Sequence, residues 1–404
     1  MRAALPSVSV VIVTWNGRHL LADALAAVAA LDYPRELVET IVVDNGSSDG
    51  SAAWLRASWP GVRVITHPTN LGFAAANNGA AAAAGGEFLA LVNNDVRVDA
   101  GWLRRMTEAV RATGAAAAGS RILDWEGRCY DHDGAAMNFY GHGASRRHGL
   151  VYAGETAGEP CDALFACGAA MLVARACFLA CGGFDPDYFA YFEDVDLGWR
   201  LWLEGARVVH VPAALAHHRH HGSGLDCERR TRLLERNALA TIVKNYDDVN
   251  LARVLPAALL LLAARARLAG GARAGAYHDT LASFLAAVPR LRAKRASVQG
   301  RRRRPDREIL PLFVAPFRPS LFGEAYWREQ ARLSRRFEIE ALFGTGGEMA
   351  ISEGMEEFIA ELQARIAELD AERVRLLEEV ARLERALERS HVALPPLGQP
   401  GQRG

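Results

Sequence analysis

Two hydrophobic periods alternate along the N-terminal part of the chain. Ser7 to Thr14 (SVSVVIVT) is a β-branched apolar run that predicts a buried strand. After it Leu20, Leu21, Leu25, Val28 and Leu31 recur at helical spacing, with Asn16 as the expected helix cap. A second strand is expected from Thr40 to Val43, ending at Asp44, and the loop Asn45-Gly46-Ser47-Ser48-Asp49-Gly50 leads from it to a helix around Trp54. Val62 to Thr66 and Phe88 to Val92 supply further strands, with Ala-rich helical sequence from Ala74 to Ala84 between them. Strands alternating with helices argue for an α/β fold around a parallel, doubly wound sheet. Such sheets bind ligands beyond the carboxyl ends of their strands. Thr14-Trp15-Asn16, Asp44-Asn45 and Asn93-Asn94-Asp95 all fall at such ends, so three separated pieces are expected to meet on one edge.

Farther along, the pattern changes. From Arg121 to Glu159 Gly, His and Tyr interleave, which reads as a cover over the site rather than as sheet. Gly182-Gly183-Phe184-Asp185-Pro186 is a turn, and a helix is expected from Glu193 to Glu204, opening on the acidic cluster Glu193-Asp194-Val195-Asp196. Val254 to Ala264 (VLPAALLLLAA) falls short of the roughly twenty residues a membrane-crossing helix needs, which leaves a core helix or an interfacial one. In the tail Met355, Ile359, Leu362, Ile366, Leu369, Arg373, Leu376, Val380, Leu383 and Leu387 follow steps of four and three, a heptad seam. Its β-branched residues at 359, 366 and 380, with Leu at 362, 369, 376 and 383, favour two parallel strands and hence a homodimer; the alternative is an amphipathic helix packed on its own domain. The expected divisions are a catalytic domain over 1–245, a basic and apolar helical extension over 246–348, a coiled coil over 349–391 and a disordered tail over 392–404.

Composition changes this picture at two points. The 404 residues carry no net charge, yet between Asn250 and Pro305 twelve Lys or Arg stand against the single acid Asp279. Lys294-Arg295 and Arg301 to Arg304 there would draw the protein to anionic lipid by roughly 1 kcal/mol per charge, unless the run is a solvated face beside a core helix. Six cysteines contain no Cys-x-x-Cys pair and are expected to be reduced and mostly buried. With a strand under way by Val8, no signal peptide is expected; the sequence points to the cytoplasm or the cytoplasmic face of a membrane, with no nucleic-acid partner.

The polar residues at the strand ends carry the chemistry. One carboxylate, Asp95, suits a divalent metal, and another in the Glu193-Asp194 pair suits a base; together they imply an enzyme that holds a nucleotide diphosphate and deprotonates an attacking group. Taken in order, Thr14-Trp15-Asn16, Val42 to Gly50, Asn70-Leu71-Gly72-Phe73-Ala74, Asn93-Asn94-Asp95, Gly182 to Asp185 and Phe192 to Leu197 resemble glycosyltransferase family 2 over roughly residues 7 to 245. Within that family the likeness is greatest to rhamnosyltransferase-like and galactofuranosyltransferase-like members. It implies a GT-A fold, a Rossmann-like mixed sheet flanked by helices, and inversion at the anomeric carbon.

The resemblance also distributes roles. Thr14, Trp15, Asn16, Asp44, Asn45, Gly72, Phe73, Asn77, Asn93, Asn94 and Asp95 would bind a UDP- or dTDP-sugar, with Asp44 at the base. Asp95 and a histidine would hold Mg2+ or Mn2+. The histidine is His218, six residues after Pro212, with His217 and His221 as alternatives. Asn93 stands where the family usually has the first Asp of an Asp-x-Asp form and offers only a neutral oxygen. Asp194 would be the base, Glu193 second. The acceptor would be a glycan or a lipid-linked saccharide. A sugar-phosphate nucleotidyltransferase is the alternative enzyme, but Thr14-Trp15-Asn16-Gly17 lacks its Gly-rich basic loop; a non-catalytic coiled-coil scaffold is the third reading.

Overall fold

The computed structural model describes residues 4–145, 147–155, 158–219, 226–269, 271–313, 324–339 and 342. They belong to one compact unit, Met1–Phe343. The heptad segment, the tail beyond it and His221 lie outside the described residues.

Strands β1 (Val8–Thr14), β2 (Val38–Asp44), β3 (Arg63–Thr66) and β4 (Phe88–Val92) are mutually parallel in the order β4-β1-β2-β3. Strand alternation sends Val11, Ile41, Val43, Leu89 and Leu91 to one face and Val10, Ile12, Val42 and Ala90 to the other. The first face is covered by α3 (Phe73–Ala83) and helices from later in the chain, the second by α1 (Arg18–Ala29) and α4 (Trp102–Thr113) through Leu21, Leu25, Trp102 and Met106. Burial on both faces explains the continuous apolar runs. Helix α2 (Ser51–Ser58) seats Leu55 on the second face. Asn16 does not cap α1. Gly17 stands at that position with no side-chain cap, while Asn16 adopts φ 51° and accepts a 2.8 Å hydrogen bond from Ser48 N.

Past β4 the sheet is mixed rather than parallel. β11 (Ala170–Ala174) inserts antiparallel between β4 and β6 (Ala117–Asp124), and β12 (Val208–His218) runs parallel to β6. β5 (Val96–Val98) and β10 (Cys161–Asp162) pair antiparallel with β12. The segment expected to be cover therefore begins inside the sheet, because β6 extends to Asp124 and β7 (Tyr130–His132) pairs with it. A separate hairpin, β8 (Ala135–Met137) with β9 (Gly143–Ser145), follows. The cover is fastened by Asp133, which accepts from Arg121 Nε at 2.8 Å and meets His210 Nε2 at 3.0 Å.

The helices after the sheet are anchored by buried charge. α6 (Glu193–Leu203) and α7 (Cys227–Asn245) are joined by Lys244, 2.7 Å from Asp185 and 2.9 Å from Asp196, and Arg200 lies 2.8 Å from Asp196. Helix α8 (Asp248–Ala269) contributes Arg265, 2.7 Å from Glu235 on α7. By length and composition α8 could cross a membrane, so the shortness inferred from Val254–Ala264 does not hold. Yet 44% of its apolar window is buried in the fold, where it packs on α7, α9 (Gly271–Arg301) and α10 (Glu324–Arg336).

Much of the basic run is paired within the fold. Lys294 is paired with Asp185 and Asp187, Arg295 donates to Val243 O at 2.7 Å and Tyr246 O at 2.6 Å, and Arg301 lies 2.8 Å from Glu204. Arg302 lies 2.7 Å from Asp306, and Arg304 donates to Gly205 O at 2.9 Å. Of the six cysteines Cys181, just past α5 (Arg175–Ala180), is buried, Cys129, Cys167 and Cys177 are half-buried, and Cys161 and Cys227 are exposed, which corrects the expectation of mostly buried thiols.

Candidate active site

The carboxyl ends of β1, β2 and β4 form one rim, and hydrogen bonds connect it residue by residue. Thr14 and Asp44, the last residues of β1 and β2, are register partners. Thr14 Oγ1 accepts from Asn94 Nδ2 at 2.9 Å, tying β1 to the loop after β4. A side chain at Gly17 would place Cβ 2.2 Å from Asn94 Nδ2, so glycine there leaves room for the Asn94 amide to reach Thr14. On the other side Asn93 N donates to Ala169 O at 2.9 Å, and the neighbouring Gly168 N donates to Asp194 Oδ2 at 2.8 Å. Asp44, Asn94 and Asp194, scattered along the sequence, thus sit along one continuous line.

Many of the amides at the rim build it. Asp44 Oδ1 accepts from Ser47 N at 3.0 Å, and Asn16 N donates to Ser47 Oγ at 2.9 Å, which closes the loop after β2 onto the end of β1. Asn45 Nδ2 reaches Asn70 Oδ1 at 3.0 Å and Gly72 O at 3.2 Å, and its Oδ1 accepts from Leu71 N at 3.1 Å. Asn77 is buried and donates to Phe73 O at 2.9 Å. Trp15 is 42% exposed. Asn93 Oδ1 is buried with no hydrogen-bond partner among the described residues, an unusual state that a ligand would relieve.

Asp95 immediately precedes β5, and the antiparallel register of β5 with β12, which pairs His218 with Val96, brings His218 to it. His218 Nε2 lies 3.2 Å from Asp95 Oδ1, while Nδ1 lies 2.8 Å from Asp131 Oδ2 on β7. Strand alternation turns His217 the other way, to Asp99 Oδ1 at 3.3 Å, which separates the two histidines. Burial disfavours charge on His218, but hydrogen bonds to Asp131 and Asp95 outweigh it and raise its pKa to about 9. An oxygen and a nitrogen 3.2 Å apart match neighbouring ligands on one cation, since two bonds of about 2.1 Å at a right angle span roughly 3 Å. No group of three or more His, Cys, Asp or Glu that could hold a metal occurs among the described residues, so these two would be a partial shell. That fits Mg2+ or Mn2+ completed by phosphate and water.

Glu193 and Asp194 open α6, where the helix dipole favours acids. Their environments differ. Asp194 accepts from Gly168 N and from Val195 N, each at 2.8 Å. Glu193 Oε2 is buried and has no partner among the described residues. Burial, then the charge of Asp194, pushes Glu193 up to about 8; burial also raises Asp194, with the two N–H groups opposing it. Two carboxyls this close shed protons in sequence, and the one with N–H donors sheds first. Cys167 is no nucleophile here, since burial and then the negative charge of Asp194 drive its thiol well above its ordinary pKa.

Sequence reasoning missed Asp131, Gly168 and Asn237. Asp131 and Gly168 carry no local signal, because their roles depend on chain crossings far from them in sequence. Asn237 had one: Leu233, Asn237, Thr241 and Lys244 form a stripe on α7 that is buried throughout, and a buried amide on such a face needs partners.

Residues 9–156 match the family model of glycosyl transferase family 2. Over 242 residues the chain is 32% identical to N-acetylglucosaminyl-diphospho-decaprenol L-rhamnosyltransferase of Mycobacterium tuberculosis (strain CDC 1551 / Oshkosh), covering 54% of this chain and 78% of that protein. A stretch of 55 residues is 49% identical to the rhamnosyltransferase WbbL of Escherichia coli (strain K12), 13% of this chain and 21% of that one. Among solved structures, S. aureus TarS 1-349 in complex with UDP-GlcNAc superposes with a TM-score of 0.51 at 16% identity, over 86% of this chain and 95% of that one. GalNAc-T7 with UDP, GalNAc and Mn2+ gives 0.51 at 18% identity, over 63% and 51%. These likenesses show the GT-A fold.

Proposed function

The chain belongs to glycosyl transferase family 2, and from that premise we propose that it moves a sugar, rhamnose by its likeness to the mycobacterial enzyme, from a UDP- or dTDP-sugar to a lipid-linked saccharide. Membership makes it a glycosyltransferase and sets aside the nucleotidyltransferase and scaffold readings. The observation that carries the mechanism is the split between two adjacent carboxyls, one accepting from Gly168 N and Val195 N and one whose buried Oε2 has no partner among the described residues.

Asp194 acts as the base. An acceptor hydroxyl attacks the anomeric carbon of the donor, its proton passes to the Asp194 carboxylate, and the bond from that carbon to the diphosphate oxygen breaks on the opposite face, giving inversion. Glu193, protonated beside it, withholds a second negative charge from the entering oxygen. The rim at Thr14, Asn16, Asp44 and Asn45 receives the nucleotide, and Gly72, Phe73 and Asn77 lie beside the sugar. Asp95 and His218 would hold Mg2+ or Mn2+, which when bound neutralises charge on the departing diphosphate. Asp131 orients the His218 ring through Nδ1, leaving Nε2 toward Asp95. Work on a lipid-linked acceptor places the protein at the cytoplasmic face of a membrane, held there by its substrate.

The test is a screen of UDP- and dTDP-sugars for hydrolysis and for transfer to a polyprenyl-diphosphate saccharide, with Mg2+ or Mn2+ present. Asp194→Asn is expected to lower turnover by about 10²- to 10⁴-fold, the usual worth of a general base, with nucleotide affinity unchanged in calorimetry. Full turnover in that variant, or no processing of any nucleotide sugar by the native chain, refutes the reading.

A further inference from the structure

Just ahead of the acidic pair the backbone does something that aromatic residues resist. Phe189, Tyr191 and Phe192 have φ of 63°, 71° and 70°, in the left-handed region that bulky side chains avoid. Strain of this kind persists only where surrounding structure over-determines it. Two elements do so. From α7, Asn237 Nδ2 donates to Tyr188 O at 3.1 Å, Ala190 O at 3.0 Å and Tyr191 O at 2.7 Å. From the start of α3, Phe73 N and Ala74 N donate to Phe189 O at 2.6 and 3.3 Å.

The Asn237 amide is fixed in its orientation. Its Oδ1 accepts from the Arg236 guanidinium at 2.9 Å, so the nitrogen faces the carbonyls, and the residue is 0% exposed. Gly72 completes the joint: with φ +85°, a Cβ there would fall 2.6 Å from Phe189 O. The loop thus runs from the donor side, at Gly72 and Phe73, to the carboxyls at Glu193 and Asp194 with no slack between them.

We propose that Asn237 is a positioning residue for sugar transfer: its carboxamide holds the loop Tyr188–Phe192 in its left-handed form and so sets Asp194 against the donor-binding turn at Gly72–Phe73. This rests on the reading of Asp194 as the base. Asn237 touches no substrate. Its contribution is to the orientation of the base, which binding of the nucleotide does not need.

Asn237→Asp tests this with almost no change of shape, replacing a donor by an acceptor that faces three carbonyls. Asn237→Ala is the second variant. Thr241→Val, one turn farther along α7, is the comparator; it loses the 2.7 Å bond to the Tyr188 hydroxyl and the 2.8 Å bond that Thr241 Oγ1 donates to Asn237 O, but leaves the Asn237 carboxamide on the loop carbonyls. Steady-state kinetics should show kcat falling about 100-fold in both Asn237 variants, as expected for a misplaced reacting group, with donor KM within about threefold of native. Thr241→Val should keep kcat within about threefold at matched thermal stability, a modest loss for a group remote from the reacting atoms. Hydrogen exchange reads the same device without turnover: the Phe73 amide should exchange faster in the Asn237 variants and not in Thr241→Val. Should the native chain transfer no sugar, the functional reading falls, and exchange alone decides the clamp. A kcat loss no greater than that of Thr241→Val, a matching rise in donor KM, or unchanged Phe73 exchange overturns the proposal.

Discussion

The division of labour proposed for Glu193 and Asp194 rests on which of them accepts from Gly168 N and Val195 N, and its consequence is open to titration. Glu193 carries a folded pKa of about 8, above its ordinary value, so between the ordinary carboxylate range and pH 8 the folded state binds more protons than the unfolded one. Stability from this residue therefore falls as pH rises through that window, and each pK unit is worth about 1.4 kcal/mol. Glu193→Gln should flatten that slope in urea melts from pH 5 to 9, and an unchanged slope would show that Glu193 is ordinary. His218 has the same sign, because its pKa too is raised on folding, but its window lies higher, between the ordinary histidine value and about 9. Its pKa of about 9 makes it a cation at pH 7, and its charge stabilises the fold up to that point and is lost above it. A metal needs the neutral ring, so Mn2+ affinity in the presence of nucleoside diphosphate should rise about tenfold per pH unit from 7 to 8. His218→Gln should abolish that dependence in calorimetry, and a pH-independent native affinity would remove His218 from the metal. The resemblance put Asp194 ahead of Glu193 and His218 ahead of His217 and His221; the atoms that bear on those choices in the fold, the amide of Gly168 and the carboxylate of Asp131, carry no local signal in the sequence.

At the scale of elements, the strands that follow β-branched runs were legible and those that do not were lost. β1, β2 and β4 are Val-, Ile- and Leu-rich and buried on both faces, which periodicity reads directly. β6 (AAGSRILD) and β11 (AMLVA) open on alanines and small residues that favour helix or coil, and tertiary pairing alone makes them strands. Missing β11 made the pattern alone read as a parallel sheet, where the resemblance implied the mixed one that is observed, since that strand is what reverses direction between β4 and β6. The rim survived the error because Thr14, Asp44 and Asn93 all belong to the parallel half. The later helices are held by charge more than their apolar pattern implies. Lys244 lies between Asp185 and Asp196 and is buried, so Lys244→Met leaves two carboxylates short of a partner. Breaking one side of such a network should cost about 3–5 kcal/mol. Lys294→Met, at the more open end of the same cluster, should cost about 1 kcal/mol or less. Urea denaturation of the two variants measures the difference, and equal losses would mean that the buried end of the network contributes no more than the open end.

For the whole molecule the question is what its charge and its tail do, since a chain of zero net charge with a basic segment invites a membrane reading. Part of that segment's charge is taken up inside the fold, where Lys294, Arg301 and Arg302 meet Asp185, Glu204 and Asp306 and Arg295 meets backbone carbonyls, while Arg267, Arg290, Arg292 and Arg303 stay exposed. We propose that residues 349–391 pair two chains in parallel, because β-branched residues at 359, 366 and 380 alternate with Leu at 362, 369, 376 and 383. Arg373 falls in the seam where a β-branched residue would otherwise stand. A polar residue there lowers stability while fixing register and strand number. Arg373→Ile should therefore raise the melting temperature of the tail and, under dilution, keep two chains together to lower concentrations than the native protein tolerates. Light scattering on the intact chain should give the mass of two chains, unchanged between low and high salt, because an apolar seam owes little to screened charge. A monomeric mass for the native chain would refute the pairing, and a mass that halves in high salt would transfer it from the seam to surface charge.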